Sequence, residues 1–363
     1  MKIKKLLFSV YSLDIGGIET ALVTLLNELA KKQYEITLVL EKKQGIFLED
    51  IDKKIKIIEY SPSNNKNVFL RKIINLAKRT KFILKYKNKF NFSASYATYS
   101  LPGSFVARTA SKNNALWVHS NYMALFNNDK NAFNNFFEKL NINQFSKIIF
   151  VSNDAKKAFT EQFAELEEKS LVINNIIDYN KILKLSEEKI TEKKDNDITT
   201  FLYVGRLTEN DKKISRIIES AKILKEKNVL FKVIVIGDGK DKKQYTKMVQ
   251  DYELEKYVIF LGKKKNPYPY FKVSDYLILT SEYEGFPVVY NEAKILNLPV
   301  ITTNVSDSET IIGNNYGIIT SKDINDIAKN MDMAIKSKIQ NKEKFDFKKY
   351  NEINIQKLEK IIN

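Results

Sequence analysis

Short apolar runs rich in β-branched residues alternate along this chain with longer stretches whose apolar positions recur at helical spacing. Alternation of that kind predicts parallel strands joined by crossover helices. In the first half the pattern predicts strands near 3–10, 35–40, 93–97, 115–119 and 147–151, and helices near 18–31, 69–87, 102–112 and 154–163. A stretch dense in Lys, Glu and Asp, 179–198, follows. Beyond it the pattern predicts strands at 200–204, 231–236, 258–261, 276–279 and 300–302, with helices at 215–227, 241–252, 288–296 and 324–335. At 363 residues the chain suits two cores of ordinary size. The expected fold class is α/β: two doubly wound domains, 1–178 and 199–340, facing across a cleft. A linker, 179–198, is expected to hold a short helix and the hinge, and a C-terminal helix within 341–363 to pack back towards the first domain.

In open parallel sheets ligands sit beyond the carboxyl ends of the strands, where loops enter helix N-termini. The unusual residues fall there. Asp14-Ile15-Gly16-Gly17-Ile18-Glu19 separates the first strand from its helix, and Gly16 and Gly17 make either a tight turn or a cradle whose N–H groups approach an anion. The GxGxxG spacing of a nicotinamide site is absent. Gly205-Arg206-Leu207, with Lys212 and Lys213 at the next helix start, reads as a solvated loop or as two cations over a diphosphate. The richest segment is 280–293. Pro287 fits the first turn of a helix, which leaves Glu284 and Gly285 in the loop at the cleft mouth and Glu292 about a turn and a half inside. Carboxylates accept hydrogen bonds from sugar and ribose hydroxyls, and free N–H groups at a helix start bind phosphate.

Composition narrows the classes. With no cysteine there is no disulfide framework, thiolate nucleophile or Cys-type zinc site. No apolar run approaches the roughly 18 residues of a membrane-spanning helix. The basic start leads into a short apolar run that ends at Asp14 without a cleavage site, so a strand is expected there and not a signal peptide. A cytoplasmic location is the default expectation. The net charge of +16 is uneven: residues 1–180 hold 27 Lys+Arg against 17 Asp+Glu, and between Tyr60 and Asn128 there are 11 Lys+Arg and no acidic residue. Such a field attracts a polyanion, nucleic acid or anionic lipid. The run from Phe69 to Lys85, apolar at helical spacing and flanked by Arg71, Lys72, Lys78 and Arg79, fits a helix packed on a sheet or one lying on an anionic bilayer. No nucleic-acid reading module accompanies the charge, so an anionic membrane surface is the expected partner and nucleic acid is not.

The segment from Phe201 to Gly317 resembles the donor-binding domain of family-4 retaining glycosyltransferases. That family's glutamate, seven residues and second glutamate appear as Glu284 and Glu292, its Gly-Arg-Leu loop as Gly205-Arg206-Leu207, and its Gly-Asp-Gly turn as Gly237-Asp238-Gly239. Gly16-Gly17-Ile18-Glu19, Val118-His119-Ser120, Val151-Ser152 and Ile173-Asn174-Asn175-Ile176-Ile177-Asp178 extend a looser likeness over nearly the whole chain. The resemblance implies the GT-B fold, two Rossmann-like domains, and transfer with retained configuration through an oxocarbenium-like transition state. It implies a nucleotide-diphosphate sugar donor, UDP-linked, held by Gly16, Gly17, Gly205, Gly237, Asp238, Gly285, Phe286, Pro287, Val288 and Glu292. Catalytic roles fall to Arg206 and Lys212 on the departing β-phosphate, and to Glu284 and His119 on the sugar. His119, the sole histidine, ends a predicted strand where a lone histidine is otherwise structural. The family's lysine stands four residues after the leucine; here Lys212 comes fifth, with Lys213 the alternative. The implied acceptor is a glycan or a polyprenyl-linked saccharide of bacterial capsule, O-antigen or cell-surface polysaccharide synthesis, met at the inner face of the cell membrane. Asp50-Ile51-Asp52 and Asp195-Asn196-Asp197 mimic a metal-binding DxD but follow no convincing strand, so neither metal nor cofactor is expected. The alternatives are a GT-B-fold UDP-sugar epimerase, which needs no acceptor, and a basic nucleic-acid-binding protein.

Overall fold

The computed structural model describes residues 3–14 and 16–363; Met1 and Lys2 of the basic start and Ile15 of the glycine loop lie outside the described residues. The chain forms two units, one running to Ile177 and taking in Lys349–Asn363, the other spanning Asp178–Lys348.

The first unit begins with β1 (Lys4–Val10), α1 (Gly17–Ala30), β2 (Tyr34–Leu40), β3 (Lys56–Glu59) and α2 (Val68–Tyr86). It continues through β4 (Phe92–Ser95), α3 (Leu101–Ala110), β5 (Asn114–Val118), α4 (Tyr122–Leu125) and α5 (Lys130–Lys139), and ends with β6 (Lys147–Phe150), α6 (Asn153–Thr160) and β7 (Ser170–Val172). Among the described residues the strands make one parallel sheet in the order β3-β2-β1-β4-β5-β6-β7. Helices cover both faces, and for that reason β1 and β2 each bury five consecutive residues without alternation. In α1 the buried set Leu22, Leu25, Leu26 and Leu29 follows the helical period. Ser100 caps α3 by accepting from the Gly103 N–H, and Ser152 caps α6 through Ala155.

The second unit holds α7 (Tyr179–Ser186), β8 (Thr199–Val204), α8 (Ile214–Glu226), β9 (Phe231–Ile236), α9 (Lys242–Asp251) and β10 (Val258–Gly262). Then come α10 (Tyr268–Lys272), β11 (Tyr276–Leu279), α11 (Val288–Ile295), β12 (Val300–Thr303), α12 (Ser308–Ile311), β13 (Gly317–Thr320) and α13 (Ile324–Ser337). Its described strands form a parallel sheet in the order β10-β9-β8-β11-β12-β13. The segment expected as a linker holds the expected short helix, α7. Asp178 caps α7, and α7 packs on α10 and α11. Pro287, expected within the first helical turn, is the residue just before α11, with an extended ψ of 95°.

A last helix, α14 (Phe347–Ile362), belongs from Lys349 onward to the first unit. Asn351 pairs with the backbone of Ile177 twice, its Oδ1 accepting from the N–H at 2.9 Å and its Nδ2 donating to the carbonyl at 2.7 Å. Asn354 accepts from the Asn174 N–H at 3.0 Å, and Glu359 pairs with Lys32 at 2.7 Å.

The pattern left β3, β7, β13 and the helices α4, α5, α10 and α12 unread. The three strands are short sheet edges with little buried surface, and an edge strand has only one neighbour to impose a pattern. Helix α5 is rich in Asn, a weak helix former. It forms because Phe133 and Phe137 bury against Phe159 and Phe163, with ring centroids 5.0 to 6.4 Å apart.

Candidate functional site

In each unit the strand order reverses at one place, and a doubly wound sheet opens its ligand crevice there. In the second unit that place lies between β8 and β11. The loops leaving these strands, 205–213 and 280–287, carry Arg206, Lys212 and Glu284, and they are stitched together. The Glu282 N–H donates to the Asp211 carbonyl at 2.7 Å, and Thr280 Oγ1 donates to the Lys213 carbonyl at 2.9 Å. Lys212 Nζ meets Glu284 Oε1 at 2.5 Å, and Ser281 Oγ donates to the same oxygen at 2.6 Å. Glu284 lies in the loop before α11, as expected, and is only 9% exposed. A carboxylate can be held so deeply because an ammonium and a hydroxyl supply donors. Lys213 instead pairs with Glu209 at 3.3 Å and starts α8 from a left-handed conformation, φ 50°. Of the two lysines, Lys212 is the one beside Glu284.

Arg206 differs in kind. Its side chain is 74% exposed and pairs with Asp211, Nη2 to Oδ2 at 3.1 Å, so its guanidinium is largely available to a ligand. The loop beneath it is tied down by hydrogen bonds. Tyr203 Oη donates to the Arg206 carbonyl at 2.8 Å, and the Leu207 N–H donates to the Asp238 carbonyl at 3.0 Å. Gly237 has φ +151°, and a Cβ there lies 1.8 Å from the Gly205 carbonyl oxygen; a Cβ on Gly239 lies 2.2 Å from that of Leu207. These glycines let the turn press against the arginine loop, and the Asp238 side chain accepts from the Gly239 N–H at 2.9 Å. Gly285, Phe286, Pro287 and Val288 lead into α11, with Gly285 and Pro287 buried, Phe286 half-buried and Val288 exposed. Ser306 Oγ fixes the Gly285 carbonyl at 2.8 Å.

Glu292 sits on α11 away from the Lys212 pair. Tyr268 Oη donates to its Oε1 at 3.1 Å. Burial pushes this carboxyl up to about 7, against the Tyr268 hydrogen bond, which lowers it. The phenol of Tyr268 is raised in turn, by burial and then by Glu292. Asn266 anchors the segment leading to Tyr268 by donating to the Leu185 carbonyl, at the end of α7, at 2.8 Å.

In the first unit the order reverses between β1 and β4. Gly16 precedes α1 with an extended φ of −171°, and a Cβ on Gly17 meets nothing within 4 Å. The two glycines therefore make an open helix start without a strained turn. Tyr99 Oη, after β4, donates to Glu19 Oε1 of α1 at 2.9 Å. His119 follows β5 and is buried, its ring 4.6 Å from that of Tyr96. Burial drives the imidazole down to about 3, the Tyr96 backbone acting weakly in the opposite sense. Among the described residues neither ring nitrogen has a hydrogen-bond partner by distance and angle. A neutral imidazole offers one donor and one acceptor, and leaving both unmet in a buried place favours a polar ligand.

Sequence reasoning missed Asp211, Tyr268 and Ser281. Asp211 lies within the charged loop and Ser281 within the 280–293 segment, but Tyr268 supports Glu292 from a position that carried no signal.

Comparison with known proteins agrees with this geometry. A family model for glycosyl transferases group 1 matches residues 186–352, and one for glycosyltransferase family 4 matches 15–181. An uncharacterized glycosyltransferase of Methanocaldococcus jannaschii is 34% identical over 160 residues, 43% of this chain and 39% of its own length. The chain thus spans well under two thirds of that relative. The N-acetylgalactosamine-N,N'-diacetylbacillosaminyl-diphospho-undecaprenol 4-alpha-N-acetylgalactosaminyltransferase of Campylobacter jejuni is 26% identical, covering 88% of this chain and 87% of its own. Among solved structures, Anabaena HepE in complex with UDP and glucose superposes with a TM-score of 0.77 at 16% identity, over 98% of this chain and 99% of its own. That likeness shows the GT-B architecture.

Proposed function

Because the chain belongs to the group 1, family 4 glycosyltransferases, we propose that it transfers a sugar, with retained configuration, from a UDP-linked donor to a glycan or polyprenyl-linked acceptor in bacterial surface-polysaccharide synthesis. One observation carries the reading: an exposed arginine and a buried Lys212–Glu284 pair share the two loops at the strand-order reversal of the second unit. Arg206 and Lys212 neutralise the charge that develops on the departing β-phosphate, an electrostatic contribution that is strong where water is excluded. Glu284 accepts from a sugar hydroxyl while Lys212 and Ser281 fix its position. Glu292 accepts from the ribose hydroxyls, and the first turn of α11 presents backbone N–H groups to phosphate. His119 holds a sugar hydroxyl with an imidazole that stays neutral at physiological pH. The assignment uses no metal or cofactor, and it places the protein peripherally on the inner face of the cell membrane.

A thermal-shift screen against a nucleotide-sugar panel tests the donor assignment, since selective binding stabilises the folded state by mass action. UDP and one UDP-sugar are expected to raise the midpoint in wild type and to do so less in Arg206→Ala. Equal response to UDP, ADP and GDP, or none, rejects it.

A further inference from the structure

Helix α2 is 19 residues long, and only Phe82 is buried. A surface helix of a globular domain normally turns an apolar stripe about a third of its circumference wide towards the core. Here one narrow face does so. Phe82 packs its ring against Tyr60 at 5.0 Å, Tyr86 at 4.9 Å and Phe105 at 5.9 Å. Asn75 accepts from the Ser63 N–H at 2.7 Å, Lys78 donates to the Ser61 carbonyl at 2.7 Å, and the Arg79 guanidinium lies 4.7 Å from the Phe105 ring. Residues 75, 78, 79, 82 and 86 are one side of a helix by spacing.

The opposite side is apolar, and it faces outward. Phe69 is 71% exposed, Ile73 48%, Leu76 66% and Leu84 79%. With Ala77 and Thr80, three of these line a shallow open groove whose edge is Lys81 and Lys85. Lys72 stands exposed on the other flank. Asn67 secures the start of the helix, its side chain accepting from the N–H groups of Phe69 and Leu70 at 3.0 and 3.2 Å. The helix is thus held in place with a second apolar stripe bare.

We propose that α2 is the membrane-docking element of this protein, its outer stripe entering the headgroup region of an anionic bilayer while Lys72, Lys81 and Lys85 meet lipid phosphates. Charge chooses the occupant. No acidic residue lies between Tyr60 and Asn128, so α2 and the chain on either side of it carry cations alone, which attracts an anionic lipid layer and opposes a second copy of the same face. The structure also revises the cations that sequence spacing assigned to this contact. Lys78 and Arg79 serve the inner face, and the lysines beside the stripe are 72, 81 and 85. The inference deepens the function proposed above by naming the element that meets the membrane, and it rests on that function only for the purpose of the contact.

Co-sedimentation of the full chain with phosphatidylglycerol–phosphatidylcholine vesicles, and with pure phosphatidylcholine vesicles, tests it. Wild type is expected to bind the anionic vesicles, more weakly as salt rises, and to bind neutral ones little. Each lysine contributes about five-fold to partitioning, so Lys72→Glu/Lys81→Glu/Lys85→Glu should lose more than about 100-fold. Leu76→Ser/Leu84→Ser should lose binding at every salt concentration, and Lys78→Gln should keep it. Unchanged melting of the variants excludes unfolding as the cause of any loss. Absence of binding by wild type, or undiminished binding by the serine variant, overturns the proposal, as does concentration-dependent dimerisation abolished by the serine variant without vesicle binding. UDP stabilisation measured alongside separates the two readings: a chain that binds UDP but no vesicle defeats only this inference.

Discussion

Replacing Glu292 by Gln should stabilise the protein while damaging donor binding, and the size of the gain should depend on pH in a defined way. The carboxyl titrates at about 7 when folded, against 4.5 in the unfolded chain. Below 4.5 it is protonated in both states and stability is indifferent to it. Between 4.5 and about 7 the unfolded chain releases the proton while the folded one keeps it, so stability falls as pH rises, by about 1.4 kcal/mol per pH unit. Above about 7 the loss levels off at no more than about 3 kcal/mol. Gln carries no charge and still accepts from Tyr268, so Glu292→Gln should recover up to about 3 kcal/mol near pH 8 and little near pH 5. For a domain of this size that is roughly 6–12 °C in Tm. Urea or thermal melts of both proteins at the two pH values measure it. A ribose hydroxyl donates to the ionised carboxylate, so wild-type UDP affinity should also rise as pH passes about 7 and flatten in the variant. A stability difference equal at both pH values, or wild-type UDP affinity that ignores pH, would refute the reasoning.

Two further substitutions probe the arginine loop. Arg206→Ala should lower turnover by about 10²-fold or more with the fold intact, because this side chain makes one exposed contact to the protein; steady-state transfer kinetics check it, and wild-type turnover removes Arg206 from catalysis. Gly237→Ala adds a methyl group 1.8 Å from the Gly205 carbonyl oxygen at φ +151°, which should cost at least about 3 kcal/mol and raise the donor KM by displacing the loop that carries Arg206. An unchanged urea midpoint contradicts that close approach.

Much of this protein is written locally in its sequence. Strands buried on both faces appear as nearly continuous apolar runs, as in β1 and β9, and helices such as α1 show the 3.6-residue period because burial on one side imposes it. The loops bearing Arg206, Lys212 and Glu284 are legible for a related reason: glycines and charges stand immediately after strands, where a parallel sheet collects its ligands. What depends on contacts between distant residues is not written that way. No local pattern ties Tyr268 to Glu292, Asn351 to Ile177 or Asn266 to the end of α7. Nor does helical spacing show which side of α2 packs: the inner side carries Asn75, Lys78 and Arg79 with Phe82 and Tyr86, and the more apolar stripe is the one left bare. The tertiary structure settled that question by supplying Tyr60 and Phe105 on one side alone. It buried Glu284 likewise, through a lysine 72 positions away. Periodicity records which surfaces can be buried, and only packing in three dimensions selects the partner.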